Sequence, residues 1–118
     1  MNTKQTIERY FDRLKDKSGW EGLLADDVTF TSFTIPNKRA DGKAAYLQAT
    51  KRFYSTIARV EVRDLLIDGD RACAFTHYDL RPPNGGPTFQ SDVAEFFSVK
   101  DGKIGSLGIY FDSAPFPK

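Results

Sequence analysis

The chain reads as an α+β domain: helices first, then a curved, antiparallel-rich sheet wrapped around them. Three observations predict this class. Ile7, Tyr10, Phe11 and Leu14 recur at helical spacing within about residues 3–16. Residues 58–112 form alternating runs separated by Asp68-Gly69-Asp70, by Pro82-Pro83-Asn84-Gly85-Gly86-Pro87 and by Asp101-Gly102-Lys103. Those are hairpin signals, because Gly supplies positive φ and Pro fixes φ. Within 58–67, Val60 and Val62 share one parity while Leu65 and Ile67 fall on the other. A β-bulge near Asp64 reconciles the two, and bulges bend sheets. Helices followed by antiparallel strands define the α+β class.

The elements follow in order. Asn2 or Thr3 can cap the first helix. Ser18-Gly19-Trp20-Glu21 has the capping-box pattern and predicts a short second helix over about 19–25. Val28 to Ile35 alternates and is rich in Thr and Phe, as a strand does. Pro36-Asn37-Lys38-Arg39 reads as a loop. Asp41 is then expected to cap a third helix over about 42–56, with Ala44, Leu47 and Tyr54 near one face. Strands are expected at about 58–67, 71–81, 88–99 and 104–112.

The chain has 118 residues, which fits one domain spanning 1–118. A single cysteine, Cys73, excludes an internal disulfide and reads as a small buried hydrophobe. A net charge of +1, with basic and acidic residues interleaved, gives no footprint for nucleic acid or an anionic membrane. No apolar leader or transmembrane run is present, so the cytoplasm is the expected location. One His and one Cys cannot build a usual transition-metal site. No Gly-x-Ser-x-Gly elbow occurs, and Gly85-Gly86 is a hairpin turn without a following helix. Ten Phe suit either a filled core or an aromatic-lined cavity.

Strand parity sorts the polar candidates. On 71–81 one set is Cys73, Phe75, His77 and Asp79, and the other is Ala72, Ala74, Thr76 and Tyr78. On 88–99, Val93, Glu95 and Phe97 share a set; on the last strand, Leu107, Ile109 and Phe111 do. Placing the larger sets against the helices puts His77, Asp79 and Glu95 on the concave side. A carboxylate there loses hydration, and its pKa should rise unless it is paired. Ala72, Ala74, Tyr78, Ala94, Phe96, Gly108 and Tyr110 are then left on the outer face. An apolar outer face predicts a homodimer packed sheet to sheet.

The segment FQSDVAEFFSVKDGKIGSLGIYFD at 89–112 carries two strands, a tight turn and a closing Tyr110-Phe111-Asp112. With Ser18-Gly19-Trp20-Glu21 and Ala25-Asp26-Asp27-Val28-Thr29-Phe30, it resembles the nuclear-transport-factor-2-like superfamily. That superfamily includes ketosteroid isomerases, limonene epoxide hydrolases and SnoaL-like polyketide cyclases. The resemblance implies a cone-shaped, cystatin-like α+β barrel with one deep pocket, and it often implies a dimer. Phe30, Ser32, Phe75, Val93, Phe97, Leu107, Ile109 and Phe111 are expected to line the pocket.

Against the isomerases, Glu95 matches a strand acid and Tyr10 a first-helix tyrosine; both donate to a developing enolate oxygen. The isomerase's base corresponds to Ser32, which cannot be a general base at neutral pH. A structural reading makes Tyr10 core and pairs Glu95 with Arg63 or Arg81. Against the epoxide hydrolases, Asp79 matches a catalytic aspartate and His77 an arginine, while the remaining acid corresponds to Ile109. His77 with Asp79 can otherwise form an acid–base dyad, or a satisfied histidine near the cone mouth. SnoaL-type cyclisation needs one acid–base residue in an aromatic pocket and no cofactor.

The expected catalytic set is therefore Glu95, His77, Asp79 and Tyr10, acting without metal or cofactor on a hydrophobic or aromatic small molecule. The alternative is a non-catalytic dimeric interaction module whose cone is filled with side chains. The tail, Ser113-Ala114-Pro115-Phe116-Pro117, is expected to cover the cone mouth or a partner.

Overall fold

Helix α1 (Thr3–Asp16) starts where Asn2 and Gln5 cap each other reciprocally. The Asn2 side chain accepts from the Gln5 N–H at 2.8 Å, and Gln5 Oε1 accepts from the Asn2 N–H at 3.1 Å. The helix ends at Lys17, which adopts a left-handed φ of 57°. Its buried stripe is Thr3, Thr6, Ile7, Tyr10, Phe11 and Leu14. The computed structural model describes residues 2–34, 38–82, 84–112 and 114. Most of the expected tail lies outside the described residues.

Three local expectations are corrected. The second helix is one 3₁₀ turn, Trp20–Leu23, and Ser18 does not cap it. Gly19 precedes the turn at φ 81°, and a Cβ there would lie 2.7 Å from an Arg13 guanidinium nitrogen. Lys38 and Arg39 belong to a strand, β2 (Lys38–Asp41), which pairs antiparallel with β1 (Leu24–Ser32). Helix α2 (Lys43–Thr56) is preceded by Gly42 with no side-chain cap, because Asp41 is held in β2, 3.0 Å from Arg39. Its buried residues are Tyr46 and Thr50, with Leu47, Phe53 and Tyr54 partly buried, whereas Ala44 is exposed.

The sheet continues with β3 (Ile57–Asp68), β4 (Arg71–Leu80), β5 (Phe89–Lys100) and β6 (Lys103–Phe111). The spatial order is β2-β1-β6-β5-β4-β3. Among the described strand pairs only β1 and β6 run parallel, so the sheet is mixed. The β3–β4 register shifts between Val62 and Asp64, the bulge expected near Asp64. There Asp64 Oδ1 accepts from the Leu65 N–H at 2.9 Å. The shift keeps Val60, Val62 and Leu65 on one face, opposite Tyr78, Thr76 and Ala74.

Helix α1 packs over β3, β4 and β5, and α2 over β1 and β2. The core lies between these helices and the concave face of the sheet. On β5 and β6 the concave set is Ser91, Val93, Glu95, Phe97, Leu107, Ile109 and Phe111, as parity predicts. On β4 the assignment is inverted. Ala72, Ala74, Thr76, Tyr78 and Leu80 are buried, while Phe75 is 43% exposed on the convex face. The reason is volume. Ala72 and Ala74 stand opposite Phe97 and Glu95, beneath a helix that brings in Tyr10 and Phe11. Small residues on β4 leave room for large ones on its neighbours. Cys73 is likewise only half-buried, on the convex side.

Candidate functional site

Glu95 sits on the concave face of β5 and is 3% exposed. Its Oε2 accepts from the Thr76 hydroxyl at 2.6 Å and from the Tyr78 phenol at 2.6 Å. No cation pairs with it among the described residues. Arg63 instead lies 3.8 Å from Glu61 and 3.7 Å from Asp92. Burial pushes the Glu95 carboxyl up to about 7, against the two hydroxyl bonds, which pull it down. The Thr76 hydroxyl also lies 3.1 Å from the Val93 carbonyl. Thr76 has one hydrogen for two acceptors. It can donate to an ionised Glu95, or pass its hydrogen to Val93 while accepting from the neutral acid.

Beside the acid is a chain of phenols. Tyr54 OH lies 2.7 Å from Tyr10 OH and 2.8 Å from Tyr46 OH. Tyr10 comes from α1; Tyr46 and Tyr54 come from α2 two turns apart, so both helices must dock to build it. Three hydroxyl hydrogens serve two bonds, which leaves one donor for another acceptor. Burial, followed by neighbouring tyrosines and Glu95, holds the Tyr10 phenol well above its ordinary pKa. Burial raises Tyr46, Tyr54 and Tyr78 as well, so all four remain hydrogen-bond donors. Trp20 covers the chain, its ring 4.2 Å from that of Tyr54. Phe53 packs on both Tyr54 and Tyr78. Trp20, Phe53 and Tyr54 are partly exposed, whereas Tyr10, Tyr46 and Tyr78 are closed off from solvent.

The structure separates the other two expected catalytic residues from Glu95. His77 and Asp79 stand on the convex face, opposite Asp92 and Gln90. His77 Nδ1 is 2.6 Å from Asp92 Oδ1, and Nε2 is 3.6 Å from Asp79 Oδ1. They face away from the cone, His77 and Asp79 half-buried with Asp79 Oδ1 closed off from solvent, and Asp92 exposed beside them. Of the expected lining, Phe30, Ser32, Val93, Phe97, Leu107, Ile109 and Phe111 lie on the core side, and Phe75 does not. Ser32 is buried, with its hydroxyl 3.4 Å from the Thr34 carbonyl. Surface clefts of about 350 and 410 Å³ lie beside Leu14 and Ile57 and beside Thr3 and Gly69; neither is lined by Tyr10 or Glu95. No group of three His, Cys, Asp or Glu side chains among the described residues is placed to hold a metal. Nor is any described helix long and apolar enough to cross a membrane.

Sequence reasoning missed Tyr46, Tyr54, Thr76 and Tyr78 as site residues. The spacing of Tyr46, Thr50, Phe53 and Tyr54, a helical i, i+4, i+7, i+8 pattern, was the signal available for the first two. For Thr76 and Tyr78 the signal was the opposite parity of β4.

The SnoaL-like domain profile matches residues 7–106. None of the curated proteins compared matches the chain. Among solved structures, a candidate ketosteroid isomerase from Kribbella flavida DSM 17836 is 25% identical, with a TM-score of 0.76 over 98% of this chain and 82% of that one. A hypothetical protein with a ketosteroid isomerase-like fold from Catenulispora acidiphila DSM 44928, in complex with trimethylamine, is 16% identical, with a TM-score of 0.78 over 96% and 89%. An LEH-like epoxide hydrolase from M. tuberculosis is 20% identical, with a TM-score of 0.77 over 94% and 83%. The last two likenesses show the fold.

Proposed function

The chain belongs to the SnoaL-like domain family, and from that premise we propose that it binds an apolar or aromatic small molecule bearing a carbonyl, enol or phenol oxygen. Glu95 serves as the acid–base group and the phenols as donors. One observation carries the reading: a carboxyl closed off from solvent and contacted by two hydroxyls and, among the described residues, by no cation, so that burial pushes it up to about 7. Such a group exchanges a proton near neutral pH. The spare hydrogen of the Tyr10–Tyr54–Tyr46 chain is available to an oxygen on which negative charge develops. Ser32 supplies no base and His77 faces outward, so one carboxyl both removes and returns the proton. That suits cofactor-independent proton transfer beside a carbonyl. The candidate ketosteroid isomerase among the solved structures agrees with this class of chemistry. Entry requires Trp20 and Phe53, the partly exposed rings over the phenols, to move aside.

The test uses Trp20, the sole tryptophan, as its reporter. Titration of the protein with 4-hydroxybiphenyl and with hydrophobic ketones should change its fluorescence. The affinity should inflect near pH 7, and Glu95→Gln should abolish the inflection. No saturable change with any such compound would leave the filled interaction module as the better reading.

A second reading concerns assembly. Phe33, Phe75, Phe96 and Tyr110 are all exposed on or beside the convex face. Phe33 stacks on Tyr110 at 4.7 Å and 12°, and Phe96 meets Tyr110 edge-on at 5.8 Å. A contiguous exposed aromatic surface favours a partner. The proposed partner is a second copy, sheet to sheet. The outer set now comprises Cys73 and Phe75 in place of Ala72, Ala74 and Tyr78. A monomeric mass at micromolar concentration would overturn it.

A further inference from the structure

Ser91 is 2% exposed, and its Oγ has no hydrogen-bond partner among the described residues. Buried hydroxyls are normally satisfied, and an orphan destabilises the fold. It lies on the concave face of β5, directly opposite Tyr78, whose phenol reaches back along the strand to Glu95. The orphan and the acid are therefore two polar points on one apolar wall, separated by Val93 and spanned by one tyrosine.

We infer that Ser91 is a second ligand-binding residue: it hydrogen-bonds a polar group at the far end of an elongated apolar ligand whose near-end oxygen meets Glu95. This rests on the small-molecule reading above and narrows it to a two-ended ligand. The orphaned hydroxyl is then a group kept unsatisfied in the free protein because the ligand satisfies it. Stability is lost so that one end of the ligand is recognised.

The test compares 4-hydroxybiphenyl with 4,4′-dihydroxybiphenyl by calorimetry, in the wild type and in Ser91→Ala. In the wild type the two-ended probe should bind about tenfold more tightly, the worth of one added hydrogen bond. Ser91→Ala should remove that advantage, leave the one-ended probe unchanged and raise the Tm of the free protein. Equal binding of the two probes by the wild type would overturn the inference while leaving Glu95 as the acid. So would an advantage that survives Ser91→Ala. Failure of both probes to bind would bring down the small-molecule reading and this inference with it.

Discussion

Tyr78 donates to Glu95 at 2.6 Å although the two are not cross-strand partners: Ala74 stands opposite Glu95, and Ser91 stands opposite Tyr78. The phenol leans along the sheet past Thr76 and meets the same carboxyl oxygen that Thr76 meets. At the far end of this diagonal, Ala74 sets only a methyl group beside Glu95. A larger side chain there would occupy the space the carboxyl uses.

The raised carboxyl has a consequence for stability. The Glu95 pKa is about 7 in the folded state, above an ordinary 4.5. The folded state therefore holds the extra proton between those values. Its stabilising contribution is full below about pH 4.5 and is lost as pH rises through about 7. The loss is on the order of 3 kcal/mol. Urea denaturation across this range should show it, and Glu95→Gln should flatten that part of the profile. A wild-type profile flat from pH 5 to 7 would show that Glu95 titrates as an ordinary carboxyl.

Tyr54 is the centre of the phenol chain and Tyr10 is one end. Tyr54→Phe breaks two hydrogen bonds and leaves the buried Tyr10 and Tyr46 hydroxyls each without the Tyr54 hydroxyl. Tyr10→Phe breaks one. The expected losses are about 2–3 kcal/mol for Tyr54→Phe and about 1 kcal/mol for Tyr10→Phe. Chemical denaturation of the two variants measures the difference, and equal losses would contradict the chain.

The inversion of β4 can be tested without any ligand. Ala74 is fully buried and Phe75 is 43% exposed. Ala74→Leu should cost about 1–3 kcal/mol by overpacking. Phe75→Ser should change monomer stability by only about 0.5 kcal/mol. The parity first expected for this strand demands the reverse order.

Gly108 sets the shape of the convex face. A Cβ there would come within 2.9 Å of Phe33 Cε2, so the ring lies flat only over a glycine. Gly108→Ala should displace Phe33 from Tyr110 and weaken the proposed dimer about tenfold, and Phe96→Lys should abolish it. Sedimentation of the variants checks both. Wild-type-like assembly in Phe96→Lys would place the contact elsewhere.

The α1 stripe, the glycine turns and the bulge at Asp64 follow from local rules, and the chain carries each of them openly. The matching of Glu95 and Tyr10 to an acid and a tyrosine of the resembled isomerases was also open to a reader of the chain. Side-chain facing on β4 was not local. Alternation divides Cys73, Phe75, His77 and Asp79 from Ala72, Ala74, Thr76 and Tyr78, but it does not say which set turns inward. That depends on the volume already filled by Tyr10, Phe11 and Phe97, residues brought there from α1 and β5. The same holds for the phenols. Tyr10 and Tyr54 are 44 positions apart and become hydrogen-bonded only when both helices dock on one sheet. Local sequence thus determined which elements form and where they turn. Tertiary packing decided which polar groups share the interior, because burial and partners belong to the assembled volume.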